Sequence, residues 1–150
     1  MDAQQYRECF AFLEKLCGTL DALADLQREK STAVSRDDLL GVEACMKREQ
    51  ALSLSLRSME QKREKLFSPL GMRDKPFSAL PEYCPPELRP QARDLADRVR
   101  RCYGIYRSAA DAARSNLELN LHQIEKMTAA QAPAGGIDLP PSGAFADIRA

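Results

Sequence analysis

The chain lacks most of the residues on which catalysis, metal binding and nucleic-acid recognition depend. Its 150 residues include no tryptophan, a single histidine at His122, and only 6% aromatic residues. Acidic and basic residues balance at 22 each, so no excess of positive charge favours a phosphate backbone or an anionic membrane surface. The scarcity of aromatic side chains also argues against base stacking. We therefore expect no nucleic-acid partner.

Short motifs that carry chemistry are absent as well. The sequence has no Gly-rich phosphate loop, no GxSxG, no HExxH, no EF-hand loop and no CxxC pair. Its five cysteines are an odd number, and Cys9, Cys17, Cys45 and Cys102 lie in segments with helical periodicity. This usage is typical of free thiols in a reducing cytosol. The opening residues show no signal-peptide pattern, and no apolar run is long enough to cross a bilayer. We predict a cytoplasmic protein with no membrane insertion, no enzymatic activity, no metal and no cofactor.

What the chain does have is helical periodicity. Apolar residues recur at alternating four- and three-residue steps, which places them on one narrow stripe of a helix. The longest series comprises Leu88, Ala92, Leu95, Val99, Cys102, Tyr106, Ala109 and Ala113. Two shorter series comprise Tyr6, Cys9, Leu13, Leu16, Leu20 and Leu23, and then Leu52, Leu56, Met59, Arg63, Leu66 and Leu70. The three seams predict an all-α fold, an elongated antiparallel three-helix bundle or coiled coil.

Turn and breaker residues set the expected boundaries of these helices. The second helix is expected to take Ser35 as its N-cap and to end at Gly71. Its seam slips once between Met46 and Leu52, which we interpret as a coiled-coil stutter. Within a helical domain over 1–130 we predict helices over about 3–32, 36–70 and 87–130, with a Pro-rich linker over 72–90, followed by a flexible tail over 131–150.

The C-terminal third of the last helix is the part most suggestive of a function. At a rise of 1.5 Å per residue this helix is about 65 Å long and the other two about 45–50 Å, so we expect it to overhang them. Leu119 points nearly opposite Leu117 and Leu121, which makes the overhanging part apolar on two sides. A broader core contact, self-association and a partner-binding surface all account for this pattern. The candidate residues are Asn116, Leu117, Leu119, Asn120, Leu121 and Ile124.

This arrangement resembles the FlgN-like flagellar export chaperones, a family of small cytosolic all-helical proteins. The similarity covers about residues 10–127 and is carried mainly by the second helix. That helix contains Asp38-Leu39-Leu40, Lys47, Leu52, Leu56, Glu60-Gln61-Lys62-Arg63, Leu66-Phe67 and Leu70-Gly71. The stretch Ser115-Asn116-Leu117-Glu118-Leu119-Asn120-Leu121 is similar to the Asn-rich end of the family's last helix. The family's Asn pair often lies three residues apart, whereas here the spacing is four.

The resemblance implies a function and partners. It implies a chaperone that binds the hook-filament junction proteins FlgK and FlgL through the six candidate residues and delivers them to the export gate, with a homodimer as one state of the client-free protein. The family commonly contacts the gate protein FlhA through a Tyr-Gly element in the tail. This tail contains no tyrosine, which leaves Phe145, together with Ile137, as the expected gate-binding residues.

Three other interpretations remain open from the sequence. One is a different secretion chaperone of the same apparatus, such as a FliT-like protein. Another is a purely structural coiled-coil or oligomerisation module, in which the exposed helix end would form a homodimer seam. The third, a helical metal or cofactor enzyme, predicts a metal or an absorbing cofactor in the purified protein.

Overall fold

The computed structural model describes residues 3–127, and these residues form three long α-helices. Helix α1 spans Ala3–Ser35, α2 spans Leu39–Phe67 and α3 spans Arg89–Met127. Short 3-10 helices follow α2 at Ser68–Leu70 and lie in the connection to α3 at Phe77–Tyr83 and Pro86–Leu88. No strand occurs in the described range, and the predicted all-α fold is confirmed.

Helix α1 is the central element of the bundle, because it packs along both α2 and α3. The Tyr6 hydroxyl donates to the Tyr83 carbonyl, 3.4 Å away, so α1 begins close to the segment that leads into α3. The Asn120 side chain donates to the Val34 carbonyl at 3.0 Å, so the two helices also end near each other. Helices α1 and α3 are therefore parallel to each other, and α2 is antiparallel to both.

The seam of α2 is continuous, so the interpretation of a stutter between Met46 and Leu52 is wrong. The missing seam member is Glu49, which is buried and pairs with Lys30 of α1 at 2.7 Å. With Glu49 included, the seam repeats at alternating three- and four-residue steps. Its members are Val42, Cys45, Glu49, Leu52, Leu56, Met59, Arg63 and Leu66.

The Pro-rich connection is part of the main hydrophobic core. Phe77 and Leu80 are buried, and the Phe77 ring packs against Phe12 and Phe67 with centroid separations of 6.5 and 5.4 Å. The Arg63 guanidinium lies 3.9 Å from the centre of the Phe77 ring and donates to the Lys75 carbonyl at 3.0 Å. This seam arginine is buried because its charge faces a ring and a carbonyl oxygen. The connection thus closes the end of the bundle where α1 and α3 begin.

The turn between α1 and α2 is capped by Asp38. Its side chain accepts a hydrogen bond from the Gly41 amide at 3.0 Å, which satisfies a donor of the first turn. The expectation that Ser35 is the N-cap is wrong, because Ser35 is the last residue of α1 and its hydroxyl donates to the Ser31 carbonyl. At the other end of α2, Gly71 adopts the left-handed conformation expected of it, with φ of 82°. No helix in the described range is long and apolar enough to cross a membrane.

Candidate partner-binding surface

The end of α3 packs against the α1–α2 turn through a small second core. Leu117 is only 4% exposed and lies among Ala33, Val34 and Val42. Met46 and Leu121 are partly buried against the same cluster. In this conformation Leu117 and Leu121 therefore hold the bundle together, and a partner could reach Leu117 only after α3 moved away from α1.

The two asparagines of the candidate set bind the end of α1. The Asn120 amide donates to the Val34 carbonyl at 3.0 Å, and Val34 lies in the last turn of α1, where carbonyl groups have no partner within the helix. The Asn116 amide lies 3.5 Å from the Ser31 hydroxyl. These contacts fix the register of α3 on α1.

Leu119 and Ile124 are the exposed members of the candidate set. Leu119 is 61% exposed and points away from the seam, as its helical angle predicted, and Ile124 is 43% exposed. Residues 122–126 are all exposed and follow Asn120, which donates to the Val34 carbonyl of α1. At 1.5 Å per residue α3 is about 58 Å long and α1 about 50 Å, so the end of α3 extends past the α1–α2 turn. Ile137 and Phe145 lie outside the described residues.

A groove between α1 and α3 is a further exposed feature that the sequence reasoning missed. It has a volume of about 760 Å³. Its lining comprises Arg28 and Ser31 from α1, and Arg101, Gly104, Ile105, Ser108, Ala109 and Ala112 from α3. Small side chains such as those of the lining residues add little to the apolar periodicity by which a helix face is predicted from sequence. The available signal was Ile105, a large apolar residue that lies off the α3 seam and is 48% exposed.

A polar layer separates the main core from the small second core. The Lys30 amine and the Glu49 carboxylate form an ion pair at 2.7 Å, with side chains only 5% and 7% exposed. Gln27 lies one helical turn before Lys30 and is buried, and its side-chain nitrogen has no hydrogen-bond partner among the described residues. The boundary between the two cores therefore contains a buried ion pair and a buried amide, which contribute less to stability than apolar contacts of the same volume would.

Comparison with known proteins supports the family resemblance drawn from the sequence. A family model described as FlgN protein matches residues 1–136. The chain belongs to the FlgN family. No curated protein and no solved structure gives a significant match. The resemblance drawn from the second and third helices is confirmed, and membership of the family implies a flagellar export chaperone that binds hook-associated proteins.

The thiols of this FlgN-family chain are suited to packing rather than to chemistry. All five cysteines are free and buried. Burial raises the pKa of the Cys9 thiol to about 11, with the nearby Cys84 and Glu8 adding to the effect. Burial also raises the pKa of Cys102 to about 12, assisted by Asp21 and Cys17. A thiol with a raised pKa carries little thiolate at neutral pH, and thiolate is the reactive form.

The described residues offer surfaces for recognition rather than a cluster of ligating side chains. Within residues 3–127, no group of three or more His, Cys, Asp or Glu side chains is placed to hold a metal ion. These surfaces are an exposed apolar helix end and a groove lined by small and apolar side chains and by two arginines.

Proposed function

We propose that this protein is a cytosolic chaperone that binds the hook-filament junction proteins FlgK and FlgL and delivers them to the flagellar export gate. Membership of the FlgN family supports the class of function. The observation that carries the proposal is the exposure of Leu119 and Ile124 in the last turns of α3. Large apolar side chains at such an end offer a surface on which an amphipathic segment of a client can pack.

The six candidate residues are proposed to contribute in two ways. Leu119 and Ile124 contact the client directly, because they are exposed in the client-free conformation. Asn116, Leu117, Asn120 and Leu121 hold α3 on the end of α1 and thereby position the two exposed side chains. Their direct contact with the client would require this end of α3 to separate from α1.

Substitution of Leu119 by aspartate tests the client-binding role. The charge would have to be buried against the client, so we expect Leu119→Asp to weaken binding of purified FlgK or FlgL by about 30-fold or more, the range of a hot-spot residue. Leu54→Asp is the matched control, because Leu54 is 64% exposed on the outer face of α2. Both variants place the same residue on an exposed helix face and should unfold at nearly the same temperature. Equal client affinity in the two variants would exclude Leu119 from the interface.

The segment after α3 is proposed to bind the export gate protein FlhA through Phe145 and Ile137. A single aromatic anchor suits a weak and reversible contact. Deletion of residues 134–150 should abolish binding to FlhA and leave client binding intact, and Phe145→Ala should reproduce most of that loss. A deletion variant that binds FlhA with normal affinity would place the gate contact on the helices instead.

Measurement of the mass of the protein, alone and mixed with flagellar proteins, distinguishes the proposed function from the two nearest alternatives. A structural oligomerisation module predicts a stable homodimer at micromolar concentration and no complex with FlgK or FlgL. A FliT-like chaperone predicts a complex with a different flagellar protein. The proposed function predicts a mixed complex with FlgK or FlgL, formed at the expense of any client-free homodimer.

A further inference from the structure

The outer face of α3 carries an uncharged stripe about four turns long. At 100° per residue, Ile105, Ser108, Ala112, Ser115 and Leu119 lie within a sector of about 80°. Between Arg101 and Lys126 no charged residue falls in this sector. We call these five residues the groove stripe, since its first three line the groove between α1 and α3. Leu119, the exposed residue at the end of α3, is therefore the last member of a much longer surface.

The groove stripe lies on a side of the bundle that no described helix covers. On α1, Glu29 and Lys30 turn toward α2 and pair with Arg48 and Glu49. Arg28 projects about 160° away from Lys30 around the helix axis and lines the groove. Helix α2 thus packs on one side of α1, and the groove between α1 and α3 opens on the other.

The shape of the groove fits a helix. Gly104, Ser108 and Ala112 recur every four residues along its floor, and small side chains at this spacing allow the axis of a packed helix to approach closely. On α3 the lining of the groove runs from Arg101 to Ala112, and the groove stripe continues along the exposed face to Leu119. From Arg101 to Leu119 this surface is about 27 Å long, the length of an 18-residue helix. Ile105 and Leu119 lie near its two ends and offer apolar contacts to large side chains of the incoming helix.

The charges beside the groove select among helices. Arg28 and Arg101 both line it, one from each wall. Arg28 also donates to Asp25 at 2.8 Å, but both of these side chains are largely exposed, and an exposed pair of this kind is weak and exchangeable. A guanidinium has five N–H donors and can bind a second carboxylate. An occupant with acidic residues along one edge is therefore favoured.

We propose that this groove, with its continuation along the groove stripe to Leu119, is the docking site for an amphipathic helix of the client, apolar on one face and acidic along one edge. The identity of the client rests on the proposed function; the helical and acidic character of the ligand does not. The chain's own C-terminal segment fits poorly, because Pro133, Pro140 and Pro141 interrupt any helix there. A second copy of α3 also fits poorly, because its stripe consists mainly of small residues and brings Arg101 rather than acids.

Client binding by groove variants of the full-length protein is the first test. Ile105→Asp places a charge on the apolar floor of the groove, and we expect it to weaken binding of purified FlgK or FlgL at least as much as Leu119→Asp does. Ala112→Arg, which fills the floor with a long side chain, serves as the second variant if Ile105→Asp lowers the melting temperature. Leu54→Asp on α2 is again the control. If Ile105→Asp and Ala112→Arg bind the client with normal affinity and only Leu119→Asp loses affinity, the client does not dock in the groove. That result would leave the proposed function intact.

A pair of synthetic peptides tests the ligand chemistry without any client. Both are 18-residue helices with leucines on one face; one carries glutamates along the edge of that face and the other carries lysines. We expect the glutamate peptide to bind the full-length protein about tenfold more tightly at low salt, with Arg101→Glu reversing the preference. Equal affinity of both peptides, or an unchanged preference in Arg101→Glu, would refute the acidic occupant.

If the chain's own C-terminal segment or a second copy of the protein occupied the groove, fluorescence and dimerisation measurements would show it. Because the chain has no tryptophan, Phe145→Trp introduces a single emission reporter into the C-terminal segment. Emission typical of a water-exposed indole, unchanged by Ile105→Asp, supports a groove open to the client. Blue-shifted emission that Ile105→Asp reverses would show that the chain's own segment occupies the groove. A client-free dimer that Ile105→Asp dissociates would show that a second copy does.

Discussion

The buried ion pair between Lys30 and Glu49 gives the sharpest prediction about stability. The two charged atoms are 2.7 Å apart, and both side chains are almost completely removed from water. If one partner is replaced, the other becomes an uncompensated buried charge, which typically costs about 3–5 kcal/mol. We therefore expect Lys30→Met or Glu49→Leu alone to destabilise the bundle by that amount, a large fraction of the roughly 5–15 kcal/mol that stabilises a domain.

Replacement of both partners should have the opposite outcome. Lys30→Met combined with Glu49→Leu removes both charges and fills the layer with apolar groups of similar volume. Such replacements of buried pairs are often neutral or stabilising by about 1–4 kcal/mol. The double variant should therefore recover most of the stability that either single variant loses, because it joins the main core to the small second core through apolar contacts.

Urea denaturation followed by circular dichroism measures the stability of the four proteins in this double-mutant cycle, which are the wild type, the two single variants and the double variant. The expected result is two single variants with low midpoints and a double variant with a midpoint near or above that of the wild type. Single variants that each lose less than about 1 kcal/mol would show that the pair is effectively solvated, as exposed pairs are. A double variant destabilised by the sum of the two single losses would show that the two charges do not interact, and would refute the reasoning.

Four further predictions concern the core, the thiols and the C-terminal segment. Leu95→Ala should lower the free energy of unfolding by about 2–5 kcal/mol in the same urea assay, because Leu95 is buried in the main core; an unchanged midpoint would contradict its seam position. A thiol-specific colorimetric reagent at pH 8 should label the native cysteines much more slowly than the urea-unfolded ones, since all five are buried; rapid labelling would show an open bundle. Stability should fall as pH rises above about 9, because the raised pKa values of Cys9 and Cys102 keep protons on the folded state that the unfolded state releases first; a flat profile to pH 11 would refute these shifts. Deletion of residues 134–150 should leave the melting temperature nearly unchanged, and a large drop would show that this segment packs on the helices.

The seams could be predicted from the sequence because they depend on local spacing. Leu13, Leu20, Val99 and Tyr106, all expected in seams, are buried. The α2 seam was misread only at Glu49, because an acidic side chain is normally exposed and its buried partner lies on another helix. A pattern within one helix cannot show which residue of a neighbouring helix will neutralise a charge.

The candidate site was harder to predict because it depends on how helices are placed. Asn116 and Asn120 continue the α3 seam in spacing, but the buried residue at this level is Leu117. Helix α1 ends beside Asn120, so the side-chain amides of Asn116 and Asn120 form hydrogen bonds with residues near the end of that helix. The groove has no sequence signature, because it arises from small residues on α3 and the side of α1 that α2 leaves uncovered.

Titration of the purified full-length protein into purified FlgK and FlgL tests the central claim most directly. A calorimetric titration gives the affinity and the stoichiometry without any variant. We expect a saturable complex of fixed stoichiometry with at least one of the two proteins, weakened by Leu119→Asp and unaffected by Leu54→Asp. Absence of binding to both proteins, with the chaperone shown to be folded by circular dichroism, would contradict it.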